Sequence, residues 1–152
     1  MKKQEPTSIN ILFADDDEDD RNFFKQALKE LSLKTNLTTV NDGDELMNYL
    51  AENMEQLPDV VFLDINMPNK SGIECLEEIK QHKKLKGLPV VMFSTSYENK
   101  AINMLFKNGA DIYVRKPNDL EQLKQVIQHA LTITVESMLL NDKLKYILNA
   151  RN

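Results

Sequence analysis

Residues 12–21 read "LFADDDEDDR": a short apolar run passes directly into six consecutive acids, Asp15 to Asp20. An apolar segment that ends in charge reads as a buried strand arriving at a surface. Beyond the acids, Phe23, Phe24, Ala27, Leu28 and Leu31 fall on one helical stripe. Like charges so close together repel, so the acids are either a solvated run at the start of a helix or a metal site.

Working outward, the same strand-then-helix unit recurs. Ile9–Ala14, Val60–Val61–Phe62–Leu63 and Val90–Val91–Met92–Phe93 read as strands buried on both faces, and Leu37–Val40 and Ile112–Val114 as weaker ones nearer the edges. Helical stripes come after each: Leu46, Met47, Leu50; Ile73, Leu76, Ile79; Ile102, Leu105, Phe106; and Leu120, Leu123, Val126, Ile127, Ala130. Capping signals at Asp42-x-x-Glu45, Ser71-x-x-Glu74 and Asn118-x-x-Glu121 place three of the starts. The order βαβαβαβαβα predicts an α/β fold with a parallel sheet covered on both faces. Ligands of such folds sit outside the carboxyl ends of the strands.

The 152 residues are one-domain length, with 41% hydrophobic and 28% charged residues. Net charge is −5, yet without the six opening acids 18 acids face 19 bases. The acidity is local, which argues against a nucleic-acid-binding face. A lone cysteine, Cys75, fits a reducing compartment. Neither a signal peptide nor an apolar run near the ~20 residues of a membrane span is found, so a cytoplasmic location is expected.

At the expected strand ends stand Asp15, Asp16 and Asp17, then Asp64, Ser94 with Thr95, and Lys116 before Pro117. Clustered carboxylates call for a cation, and oxygen-only donors suit a hard one such as Mg²⁺. An ionised carboxylate can attack phosphorus without a base to activate it. Alternation along the first strand favours Asp15 and Asp16 as the metal pair, because Asp15 extends the row of Ile9, Ile11 and Phe13; the alternative is Asp16 with Asp17. Glu18, Asp19 and Asp20 are read as serving the helix dipole. His82 and His129 read as solvated, Cys75 and Met47 as fillers, and Gly72 as opening the third helix.

Four blocks, Ile11–Asp16, Phe62–Gly72, Pro89–Thr95 and Gly109–Pro117, resemble the signatures of the response-regulator receiver domain, in its order, over residues 7–131. The resemblance implies a flavodoxin-like doubly wound (βα)5 sheet of order 2-1-3-4-5. It implies phosphoryl acceptance on Asp64 from a histidine kinase or phosphotransfer protein. Mg²⁺ would be held by Asp15, Asp16, Asp64 and the Asn66 carbonyl. Ser94 and Lys116 would contact the phosphoryl group, Tyr113 would rotate inward as a switch, and Lys116–Pro117 would be cis. Thr95 departs from the small residue usual there. The chain then reads as a non-enzymatic signalling module with a downstream protein partner, a homodimer being admitted, and no nucleic acid or membrane. A haloacid-dehalogenase-type phosphatase is the enzyme alternative, disfavoured because Asn66 replaces its acid; an unphosphorylated binding scaffold is the other. Residues 1–6 are expected as an extension. Helix five is expected to weaken near Leu131, with residues 132–152 a tail carrying a short amphipathic helix through Leu140, Leu144, Ile147 and Leu148.

Overall fold

The structure, a computed structural model, describes residues 8–95, 99–140 and 146–148. Its elements run β1 (Ile9–Ala14), α1 (Glu18–Lys29), β2 (Thr35–Val40), α2 (Gly43–Glu52), β3 (Val60–Asp64) and α3 (Gly72–Gln81). They continue β4 (Val90–Ser94), α4 (Asn99–Lys107), β5 (Ile112–Arg115), α5 (Leu120–Leu140) and β6 (Tyr146–Leu148). Five parallel strands in the order β2-β1-β3-β4-β5 form the expected doubly wound sheet, and β6 adds a sixth parallel strand beside β5.

Alternation along the strands feeds two cores. Leu12, Leu63, Met92 and Tyr113 pack with Leu46, Leu50, Leu76, Ile79 and Leu105 on the α2–α3–α4 face. Their chain neighbours Ile11, Phe13, Phe62, Val91, Phe93 and Val114 face Phe24, Leu28, Leu123, Val126 and Ile127 on the α1–α5 face. The central strands are apolar nearly throughout because both faces are covered. On the second face Phe13, Phe24, Phe62 and Phe93 form an aromatic floor, Phe13 stacking on Phe24 with ring centroids 4.2 Å apart.

The helix starts obey the capping chemistry, with one shift. Ser71 and Glu74 close a reciprocal capping box, and Asp42 accepts from the Glu45 N–H. For α5 the cap is Asp119, not Asn118: its Oδ1 accepts from the N–H groups of Glu121 and Gln122 at 2.7 and 3.2 Å.

The tail differs from expectation. Helix α5 does not weaken at Leu131 but runs to Leu140, so the boundary drawn there falls inside it. Thr132 and Thr134, poor helix formers in isolation, donate their hydroxyls to the Gln128 and Ala130 carbonyls at 2.9 and 2.8 Å. Leu131 and Thr134 are buried. Tertiary packing and local bonding thus outweigh propensity. Beyond it, Ile147 and Leu148 lie in a strand instead of a helix, which pairs with the outer edge of β5; Leu144 lies outside the described residues. An edge strand offers unpaired backbone groups, and a run with an aromatic and a β-branched residue suits it.

Candidate metal and phosphoryl site

Four strands deliver the site to one edge of the sheet. Asp15 follows β1, Asp64 and Ser94 end β3 and β4, and Lys116 follows β5. The Lys116 N–H donates to the Ser94 carbonyl at 2.8 Å, which fixes the last of these strands against the fourth. Lys116 Nζ then reaches three carboxylates: Asp15 Oδ2 at 2.9 Å, Asp20 Oδ2 at 3.0 Å and Asp64 Oδ1 at 3.3 Å. Its ammonium lies 5.6 Å from the Phe93 ring centroid, above the aromatic floor.

Asp15, Asp16 and Asp64 each place a carboxylate oxygen within 4.8 Å of the others. Asp15 and Asp64 are buried and Asp16 is exposed, so the cluster opens to solvent on one side. Asp17 does not join it. Its side chain accepts from the Asp19 and Asp20 N–H groups as the N-cap of α1, which removes the geometric support for pairing Asp16 with Asp17.

Burial acts first on these charges. The Asp64 carboxyl ends up at about 6: burial pushes it up most, Asp15 and Asp16 push it further, and Lys116 pulls it part of the way back. Asp15 is likewise raised by burial, against the Asp17 N–H bond and Lys116. Burial works against the Lys116 ammonium, yet its bond to Asp15 and the charges of Asp64 and Asp15 outweigh that and raise its pKa. One ammonium among four carboxylates leaves the pocket with excess negative charge, and the oxygen-only donor set fits a hard divalent cation.

The loop after β3 is shaped by close approach. A Cβ on Gly72 would lie 2.1 Å from the Asp64 carbonyl oxygen, so only glycine lets α3 begin there. Asn66, exposed, stands two residues past Asp64. Asn69 takes a left-handed backbone (φ 66°), and its side-chain amide donates to Asp42 Oδ2 at 2.9 Å, clasping the loop to the cap of α2. Two contacts escape a reading of the sequence. Asp20 serves Lys116 as well as the helix dipole, and the Arg21 guanidinium donates to the Asp15 carbonyl at 2.8 Å. The cap at Asp17 carries the signal, since it sets the helical phase that turns the first turn toward the strand ends.

One expectation is corrected. Lys116–Pro117 is trans, as are all peptide bonds among the described residues; trans is the form that X–Pro bonds ordinarily favour, by about 0.5–1 kcal/mol. Tyr113 is fully buried in the α2–α3–α4 core. Cys75 is buried, its thiol pushed up to about 12 by burial, as befits a filler.

The family model of the response regulator receiver domain matches residues 11–128. The chain belongs to that family. It is 29% identical over 134 residues to the response regulator Rcp1 of Synechocystis, covering 86% of this chain and 91% of that one. It is 30% identical to the probable C4-dicarboxylate response regulator DctR of Bacillus subtilis, covering 91% of this chain but 61% of the relative. The phosphorylated cyanobacterial phytochrome response regulator RcpA superposes with a TM-score of 0.76 at 31% identity, covering 86% of this receiver and 96% of that chain. A crystal structure of Rcp1 has been determined in its Mn²⁺-bound form. Among the described residues of this receiver no helix is long and apolar enough to cross a membrane.

Proposed function

We propose that this receiver accepts a phosphoryl group on Asp64 from a histidine kinase or phosphotransfer protein and signals by contact with a downstream protein. The observation that supports it most is the position of Lys116, held between Asp15 and Asp64 at the mouth of the acidic cluster. With its pKa near 6, Asp64 is ionised at neutral pH and needs no general base. An Asp64 oxygen bonds to phosphorus as the donor's P–N bond breaks, the electron pair leaving on the imidazole nitrogen. Asp15, Asp16, Asp64 and the Asn66 carbonyl are the groups that would hold Mg²⁺, which when bound neutralises charge on the transferring phosphoryl oxygens.

Lys116 and the Ser94 hydroxyl receive the new oxygens. Ser94 is almost fully buried at the end of β4, directly before the connection to α4. A phosphoryl group adds about −2 charge there, and charge-assisted bonds to it draw Ser94 and its strand end inward. Tyr113 reports this by repacking beneath α4 within the core it already occupies. The face of α4 and β5 is what a protein partner reads. The phosphatase alternative lacks its acid, since the Asn66 amide cannot protonate a leaving group.

Incubation with acetyl phosphate and Mg²⁺ is expected to add one hydroxylamine-sensitive phosphoryl group by intact mass, and Asp64→Asn to abolish it. A wild-type chain that stays unmodified while Mg²⁺ binds overturns the assignment.

A further inference from the structure

The geometry points to Asp20 as a positioning residue that competes with the phosphoryl group for Lys116, an inference that rests on the reading of Asp64 as phosphoacceptor. An ammonium has three N–H donors. In this structure two carboxylates accept from it, Asp15 and Asp20, and Asp64 Oδ1 stands 3.3 Å away as a third counter-charge. Asp15 and Asp64 belong to the metal cluster, and Asp20 does not. It comes from the first turn of α1, and its side chain is 41% exposed where those of Asp15 and Asp64 are 1% and 8%.

The position of Asp20 is fixed from both sides. Asp17 Oδ1 accepts from the Asp20 N–H at 3.3 Å, and the next residue, Arg21, donates to the Asp15 carbonyl at 2.8 Å. The first turn of α1 is therefore anchored to the strand end, and the carboxylate it carries is held against Lys116. A phosphoryl oxygen arriving on Asp64 draws on an ammonium whose charge and donors these carboxylates already share, so its hold on Lys116 grows when one of them lets go. Of the three, Asp20 is the most solvated once released, so it yields at the least cost. Asp20 thus sets how strongly Lys116 holds the phosphorylated state, and explains part of why the acidic run extends past the metal pair.

The test is a titration of the isotope-labelled full chain with beryllofluoride at fixed Mg²⁺, read by amide NMR, with thermal midpoints alongside. Asp20→Asn is expected to bind beryllofluoride about two- to fivefold more tightly than wild type, the range of one partly exposed ion pair. Asp20→Glu is expected to restore the wild-type value. Asp19→Asn, which removes a neighbouring negative charge that does not touch Lys116, is expected to change nothing. Equal affinity of Asp20→Asn and wild type, weaker binding, or the same gain in Asp19→Asn overturns the competition. A lowered thermal midpoint with unchanged affinity makes Asp20 structural only and overturns it as well. If wild type and Asp64→Asn are both silent, the phosphoacceptor reading fails and takes this inference with it. A wild type that responds beside an indifferent Asp20→Asn defeats this inference alone.

Discussion

Two lysines bracket the β4–β5 pair, one at each end, and each is held by three partners. At the amino ends Lys80 Nζ donates to the Leu88 and Lys86 carbonyls at 2.9 and 3.4 Å and to Asp111 Oδ2 at 3.2 Å. Asp111 in turn accepts from the Val90 N–H at 2.9 Å. That group is neutral and closed: one cation, one anion, two carbonyls. At the carboxyl ends Lys116 meets three carboxylates, with Asp16 nearby, and the balance is negative. The same residue type with the same number of partners therefore makes a structural bracket in one place and an unbalanced pocket in the other. The partners' net charge, not the lysine, distinguishes them. A closed bracket has nothing more to bind, whereas the pocket gains from any cation or charge-neutralising group that enters.

The largest effect expected from this contrast is at the bracket. Asp111→Ala removes the partner of Lys80 and leaves the Val90 N–H of a fully buried residue without its acceptor. A loss of about 2–3 kcal/mol is expected, seen as a lower urea midpoint at unchanged slope. A change under about 0.5 kcal/mol, the level of an ordinary surface substitution, would erase the contrast.

How much of each region is legible in the sequence depends on the same physics. Asp15, Asp64, Ser94 and Lys116 are legible because each directly follows or ends an apolar strand, and parallel strands bring such residues to one edge. Asp20 and Arg21 are not, because their reach depends on helical phase, set by the cap at Asp17 rather than by any apolar pattern. The Lys80–Asp111 bracket joins α3 to the start of β5 through charges that look solvated in isolation. The clasp of Asn69 on Asp42 spans 27 residues and rests on one left-handed backbone angle. In the tail, propensity misleads: Thr132 and Thr134 bond back within α5, and three residues at Tyr146–Leu148 carry too little periodicity to announce a strand.

The pocket's imbalance has a sign that pH can read. The Asp64 carboxyl lies near 6 when folded against an ordinary 3.8, so between those values the folded chain holds a proton that the unfolded chain has lost. Stability is therefore highest below about pH 4 as far as this group is concerned, and falls as pH rises to about 6. Asp15, also raised, acts in the same direction. A loss on the order of 2 kcal/mol is expected across that window without divalent cation, measured by urea unfolding. Mg²⁺ at about 100 times its Kd returns about 2.7 kcal/mol at pH 7. Unfolding free energy that instead rises from pH 4 to 6, with Asp64→Asn showing the same rise, would place the pocket with the satisfied brackets.

The smallest effect discriminates most sharply. Asp64→Asn keeps the shape of the side chain but removes a charge that burial and the neighbouring acids disfavour. Lys116 retains Asp15 and Asp20, so no buried ammonium is stranded. Removing one partner of a buried pair is destabilising when it leaves the other without a counter-charge, and that condition holds for Lys80 at Asp111 but not here. Asp64→Asn is thus expected to stabilise the metal-free chain by about 1 kcal/mol at pH 7, the opposite sign to Asp111→Ala. Saturating Mg²⁺ should shrink the gain, because the cation relieves in the wild type the same repulsion that the amide removes, and the variant binds it less well. A destabilisation by Asp64→Asn comparable to that of Asp111→Ala would mean that Lys116 needs all three carboxylates, and that the two ends of the sheet are built alike.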